Sequence, residues 1–299
     1  MIFPKYLNSG DTIGIVAPAG YIDREKITGA AETISSNRFN VSFGKYLFGK
    51  HFNFSGHDGE RLKDMQDMLD NPDISAILCA RGGYGLIRII EKLNFSEFLK
   101  KPKWIIGFSD ISILHAYLNH YLDVASIHGP MCKMISEQPQ SYSVRTLFNL
   151  LSGQNPEYMI GNSVISEVIS GKIIGGNLSI ICSLIGSALD FNPSNKILFI
   201  EDIGEYHYKI DRMMHHLRIS GKLDGLKALV TGQFSGLRDK NTDFGESVID
   251  IITRNVSNSG TPFFHSIPIG HEEENYPIIL NANATIYSKN NQTYLKIEE

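Results

Sequence analysis

Trp104-Ile105-Ile106-Gly107-Phe108-Ser109-Asp110-Ile111-Ser112 is an apolar run that ends at a glycine and passes, two residues later, into a sequence suited to start a helix. A short buried strand that turns this tightly into a helix is half of a βα unit. The same grammar recurs upstream. Ser75–Cys79 is a buried strand followed by Arg81-Gly82-Gly83-Tyr84-Gly85, and Thr12–Val16 is a β-branched strand broken by the Ala17–Gly20 loop. Between these strands, Asp23 caps a helix running to about Ser35, and Val41–Phe43 is a further short strand. Asp58 caps a helix with Leu62, Met65, Met68 and Leu69 on one face, which Asn71-Pro72 ends. Leu86–Leu93 and Asp110–Leu118 read as helices. Apolar strands alternating with amphipathic helices define an α/β domain built on a mainly parallel sheet.

The second half has a different texture. Val164–Ile174 alternates apolar and polar residues as a half-exposed strand does, Asn177–Ile185 and Ile210–Ile219 read as helices, and Lys196–Ile200 and Ala228–Thr231 read as strands. After the amphipathic helix Ser247–Val256 come two β-rich runs, Pro277–Tyr287 and Thr293–Ile297, joined by a turn at Asn290-Asn291. The polar stretch from Ser152 to Ser163 is expected to be the linker, giving an N-terminal domain over 1–155 and a C-terminal mixed α/β domain over 164–299.

Composition narrows the function. The chain has 299 residues, 42% hydrophobic and 20% charged, which is ordinary globular chemistry. The net charge of −4 with no basic block argues against nucleic-acid binding. No apolar run reaches the ~18 residues of a membrane span, and the start of the sequence has no secretory pattern, so a cytoplasmic location is expected. Three widely spaced cysteines, Cys79, Cys132 and Cys182, encode neither a disulfide framework nor a zinc ribbon and read as core thiols. His207 and His215-His216 have no third ligand at metal spacing, so neither a metal nor another cofactor is expected.

Four stretches can carry chemistry. A strand–Gly–x–Ser–helix turn projects Ser109 off the carboxyl edge of the sheet, and the Asp110 amide then opens a helix, where it can stabilise an oxyanion. Ile111 stands where such turns usually carry a second glycine, and a plain N-cap role for Ser109 or Asp110 is the alternative. The Arg81–Gly85 loop can turn amides toward an anion, or be a tight turn. Glu201 closes the apolar run Ile197–Ile200 and could orient a histidine, or be a solvated loop acid. His271 follows Gly270 in a loop able to present a base.

Taken together, Gly10–Ala19, Arg81–Gly85, Gly107–Ser112, His128–Met131, Gly175–Ser179, Ile200–Glu205 with Asp211-Arg212, and Gly270-His271 resemble the LD-carboxypeptidase family of serine peptidases. That family includes murein tetrapeptide carboxypeptidases and microcin C immunity proteins. The resemblance implies a flavodoxin-like N-terminal domain, a C-terminal mixed domain, and a homodimer with the active site between domains. It implies a Ser109–His271–Glu201 triad and an oxyanion hole from the amides of Asp110 and Gly83. The substrate implied is a small muropeptide cleaved at an LD-bond to a terminal D-residue. Arg81 is a candidate for its terminal carboxylate or for a structural ion pair, Asn177 for a hydrogen bond near the site or for a helix cap, and Glu205 for a substrate amine, or for a pair with Lys209 or Arg212. A microcin-immunity-type hydrolase of peptide-nucleotides or acyl-sulfamoyl adenylates is the second reading, and a non-catalytic anion-binding α/β protein the third.

Overall fold

Strand order places the candidate residues of the first half at one edge of one sheet. In the computed structural model, which describes residues 1–162, 164–239 and 242–299, the chain forms two units. The first comprises Met1–Gln154 with Tyr276–Ile278, the second Asn155–Asn275 with Ile279–Glu299.

In the first unit, β1 (Thr12–Val16), β2 (Asn40–Phe43), β3 (Ile74–Cys79), β4 (Trp104–Gly107) and β5 (Ser126–His128) are all parallel and ordered β2-β1-β3-β4-β5. This is the flavodoxin-like order, whose reversal of direction falls between β1 and β3. Ligand sites of open α/β sheets gather beyond the carboxyl ends of the strands beside that reversal. The loops leaving β1 and β3 emerge there, joined by the Gly20 amide donating to the Gly82 carbonyl at 2.8 Å. The central strands read as continuous apolar runs because both faces are covered: all four residues of β4 are buried, as are five of the six in β3.

In the second unit, β6 (Glu157–Gly161), β7 (Ile169–Asn177), β8 (Lys196–Ile203), β9 (Ala228–Ser235), β10 (Phe263–Phe264), β12 (Asn283–Lys289) and β13 (Gln292–Glu298) form one sheet ordered β10-β9-β8-β7-β12-β13-β6. Its β7–β10 part is parallel and the rest antiparallel. Helices His207–Ile219 and Val248–Val256 pack on the parallel part around Leu198, Ile200, Ile210, Met214, Ile251 and Ile252. The β12–β13 hairpin turns through Asn290 and Asn291, both at positive φ, as a two-residue turn matched to strand twist requires.

Several boundaries differ from the sequence reading. The expected linker contains β6, whose Tyr158 and Ile160 alternate inward while Glu157 and Met159 face out. Ser163, at the end of that linker, lies outside the described residues. The run Pro277–Tyr287 is not one strand: β11 (Ile278–Leu280) is separated from β12 by Asn281 at φ 65°, and Tyr276–Ile278 belongs to the first unit. Leu86–Leu93 is two 3-10 turns rather than a helix. Asp58 is the first helical residue, and His57 precedes it as the cap, with its amide donating to Glu60 Oε2 at 2.7 Å.

Candidate active site

Ser109 sits where β4 ends, at φ 64°. A left-handed backbone at a residue with a Cβ costs on the order of 1–2 kcal/mol, and such strain gathers where a side chain must be aimed. The turn is fixed from behind. The Gly107 carbonyl accepts from His115 Nε2 at 2.8 Å, and because a carbonyl only accepts, this nitrogen carries the ring proton. His115 Nδ1 then accepts from Ser126 Oγ at 2.8 Å, and Asn119 Nδ2 donates to the same hydroxyl at 3.1 Å. Burial holds His115 down at about 3, so the relay stays neutral. In front, Gly82 closes against Ser109: a Cβ there would lie 2.8 Å from the Ser109 Cβ. The glycine loop and the Ser109 turn are therefore in contact only because Gly82 has no side chain. Gly83 follows at φ 95°.

Asp110 is buried, and its Oδ2 accepts from the Leu86 amide at 2.9 Å. Burial pushes its carboxyl up to about 6, against the opposing pull of that amide and of Arg61. Arg81 is exposed, and its Nη1 donates to the Tyr21 carbonyl at 2.7 Å. The alternative of a structural ion pair for Arg81 is replaced by this backbone anchor.

The second unit assembles a carboxylate–imidazole pair. Glu201 is fully buried, and its Oε2 lies 2.7 Å from His271 Nδ1. The sequence reading put Glu201 at a strand tip, but β8 continues to Ile203, with Glu201 and Asp202 both buried within it. Two neighbours make that tolerable. Asn177, aligned with Glu201 across the β7–β8 pair, donates through Nδ2 to Asp202 Oδ1 at 2.9 Å and to Glu201 Oε1 at 3.4 Å. Its Oδ1 caps the helix Leu178–Leu184, accepting from the Ile180 amide at 3.3 Å. Asp202 also accepts from the Ser179 amide at 2.9 Å, and burial pushes its carboxyl up to about 6.

The His271 loop is placed by an irregularity in β9. Ile200 pairs with Thr231 and Asp202 with Phe234, so Gly232 and Gln233 together oppose Glu201. The bulge turns the Gln233 amide out of the ladder and onto the Ile269 carbonyl at 2.8 Å. Asn275, buried, accepts from the Gly270 amide at 2.9 Å and closes the loop. Gln233, Asn275, Arg61 and His115 are not marked by any sequence motif, and only the folded contacts show what each one holds. Glu205 pairs with Lys209 at 3.1 Å, one of the two pairings expected for it.

Other candidate chemistry recedes. The three thiols are buried, and burial pushes Cys132 and Cys182 up to about 12 and Cys79 higher still. His207 pairs with Asp239, and His215 contacts Asp211 and Arg254. Among the described residues no three His, Cys, Asp or Glu side chains gather as metal ligands, and no helix is long and apolar enough to cross a membrane.

The first unit is thus a parallel α/β sheet with a strained serine at a strand–helix turn, and the second holds a buried Glu–His pair. The chain belongs to the LD-carboxypeptidase family: residues 13–129 match the LD-carboxypeptidase N-terminal domain and residues 170–286 the LD-carboxypeptidase C-terminal domain. It is 31% identical to the probable murein peptide carboxypeptidase of Bacillus subtilis (strain 168), over 95% of this chain and 91% of that protein. It is 24% identical to the microcin C7 self-immunity protein MccF of Escherichia coli, over 75% of this chain and 76% of that one. Among solved structures, the muramoyltetrapeptide carboxypeptidase from Oxalobacter formigenes superposes with a TM-score of 0.87 at 26% identity, covering 96% of this chain and 99% of that chain.

Proposed function

We propose that this protein is a serine LD-carboxypeptidase that removes the C-terminal D-residue from murein-derived peptides. The observation that carries the reading is the buried Glu201 carboxylate 2.7 Å from His271 Nδ1. A carboxylate only accepts, so Nδ1 carries the proton and the basic lone pair lies on Nε2. In this reading Ser109 Oγ attacks the carbonyl of the L-centre while His271 Nε2 takes its proton. Glu201 holds the tautomer and stabilises the imidazolium. The amides of Asp110 and Gly83 receive the oxyanion. Collapse of the tetrahedral adduct breaks the LD-amide bond, and His271 returns the proton to the departing amine. Water, deprotonated by the same imidazole, then frees Ser109 from the acyl group. Arg81, whose guanidinium has donors beyond the one spent on Tyr21, would receive the terminal carboxylate. A cavity of about 400 Å³ bordered by Gln233 and Glu272, beside the His271 loop, gives room for part of the peptide. Action as a cytoplasmic homodimer belongs to the same proposal.

The names of the relatives favour murein peptides, and the MccF likeness supports the second reading, hydrolysis of a peptide-nucleotide or acyl-sulfamoyl adenylate by the same groups. Incubation with LD- and DD-linked muropeptides and with an aminoacyl-sulfamoyl adenosine, read by mass, separates the two. Loss of one D-residue from an LD-linked tetrapeptide is the expected result, and cleavage of the adenylate alone would replace the reading. A fluorophosphonate that fails to label Ser109 would leave the non-catalytic anion-binding class.

A further inference from the structure

The first turn of the helix Asp58–Asp70 buries an arginine. Arg61 is 1% exposed, and its guanidinium is spent on partners from three segments of the chain. Nη1 donates to the Pro18 carbonyl, in the loop after β1, and to the Gly85 carbonyl at 3.0 Å, in the loop after β3. Nη2 meets Asp58. Taking a guanidinium out of water costs several kcal/mol, and here the donors go to two backbone carbonyls at the carboxyl edge of the sheet. Gly85, at φ 140°, admits this approach: a Cβ there would lie 2.6 Å from Arg61 Nη1. One residue on, the Leu86 amide donates to Asp110 Oδ2 at 2.9 Å. Gly85-Leu86 is thus held from one side by Arg61 and from the other by the side chain of the residue after Ser109.

We propose that Arg61 and the Asp110 carboxylate are positioning residues that lock the glycine loop to the Ser109 turn and so set the spacing of the Gly83 and Asp110 amides. The proposal rests on the serine-hydrolase reading. It adds a support for the oxyanion hole: the Asp110 amide faces the reaction while its side chain ties down the segment that carries the other donor. Two amides must both reach one oxygen at about 2.7–3.1 Å, and the bonds at Gly82 and Arg81 hold only the first half of the glycine loop. Arg61 ties the loops after β1 and β3 to one guanidinium, and the Leu86–Asp110 bond ties the second of them to the turn after β4.

The experiment is a double-mutant cycle on Arg61→Ala and Asp110→Ala, with kcat and KM for an LD-linked tetrapeptide and the rate of Ser109 inactivation by a fluorophosphonate. Each single variant should lower kcat and the inactivation rate by about 10²–10³, the loss seen when an oxyanion donor is removed, with KM changed less than about threefold. The double variant should fall little below the worse single one, because both act on one spacing. Asp110→Asn, which keeps an oxygen for the Leu86 amide, should lose less than about tenfold. If Arg61→Ala does not fold, the contrast between Asp110→Ala and Asp110→Asn decides. Folded variants with kcat within about threefold of the parent, additive losses, or equal losses in Asp110→Ala and Asp110→Asn would overturn the proposal. A parent protein that neither turns over nor labels at Ser109 fails the functional reading itself and is distinguished by that control.

Discussion

Replacing Glu201 by Gln keeps the shape of the side chain but removes its negative charge and the ability of both its end atoms to accept. Glu201 Oε2 faces His271 Nδ1 and Oε1 faces Asn177 Nδ2. Asn177 cannot reverse its amide without cost, because its Oδ1 caps a helix and accepts from Ser179 Oγ at 2.7 Å. It therefore presents a fixed donor to position 201. In Glu201→Gln the new amide turns its oxygen to Asn177 and its NH₂ to His271. Nδ1 must then accept, the ring proton moves to Nε2, and the imidazole can no longer take the Ser109 proton. The wrong tautomer costs about 10⁴ in kcat in an unrelated serine protease whose triad acid was made an amide. We expect a loss of roughly 10³–10⁴, equivalent to about 4–5.5 kcal/mol of barrier, with KM nearly unchanged. Adding Asn177→Ser keeps an oxygen at the helix cap and removes the donor. The Gln amide can then rotate, and the double variant should regain about tenfold over Glu201→Gln. The assay is kcat and KM by mass on an LD-linked tetrapeptide, with Tm confirming folded protein. More than a tenth of the parent kcat in Glu201→Gln would remove Glu201 from the triad, and a double variant no faster than the single one would refute the orientation argument.

Ser109→Ala should lower kcat by about 10⁶ in a folded protein, as loss of a triad nucleophile does elsewhere; near-normal turnover would end the serine reading. Glu205→Gln, which breaks the pair with the partly exposed Lys209, should change kcat by less than about tenfold, and a larger fall than in Glu201→Gln would move the acid to Glu205. Exhaustive chelation should leave activity intact, and loss restored by zinc would count against this chemistry. For stability, His115 is held at about 3 when folded against 6.5 in the open chain, so the unfolded chain takes up protons first as pH falls. The stability this neutral histidine contributes is present above about pH 6.5 and lost as pH falls toward 3. Relative to His115→Gln, the parent should lose on the order of 2 kcal/mol between pH 6.5 and 4.5. Asp110 and Asp202, raised to about 6, act with the opposite sign, losing stability as pH rises from about 4 to 6, and are common to both proteins. Parallel curves of unfolding free energy against pH would remove His115 from this role.

The parallel sheet was legible because its strands are covered on both faces and leave apolar runs bounded by loops; β1 and β4 have the ends read from sequence. The strand of the expected linker was not, because β6 buries only Tyr158 and Ile160 and is flanked by Gly153, Asn155, Pro156 and Gly161, which read as a loop. Nor was the true extent of β8, since two adjacent acids look like a loop unless their partners are known. Those partners, Asn177, Ser179 and His271, are 23 to 70 residues away along the chain. Arg61 left a trace that went unread. The helix Asp58–Asp70 buries Arg61, Asp64, Met65, Met68 and Leu69, whereas the face was read through Leu62, which is only half-buried. Continuing the Met65–Met68 stripe back by one turn lands on Arg61, a charged residue on a core face.

These misfits share a cause. Ser109 takes a backbone suited to glycine, Glu201 and Asp202 occupy a buried strand, and Arg61 occupies a buried helix face. Each departs from a local rule of propensity or burial, and the buried charges are compensated by hydrogen bonds from elsewhere in their own units. A rule based on local propensity or on burial pattern is blind to such compensation, so it fails where polar groups have been taken out of water and given fixed partners. Preorganised chemistry requires that arrangement, since donors and acceptors aimed before the reaction need no reorganisation during it. Ser109, Glu201 and Arg61 are departures of this kind, and each is, holds or stands beside a group of the proposed reaction.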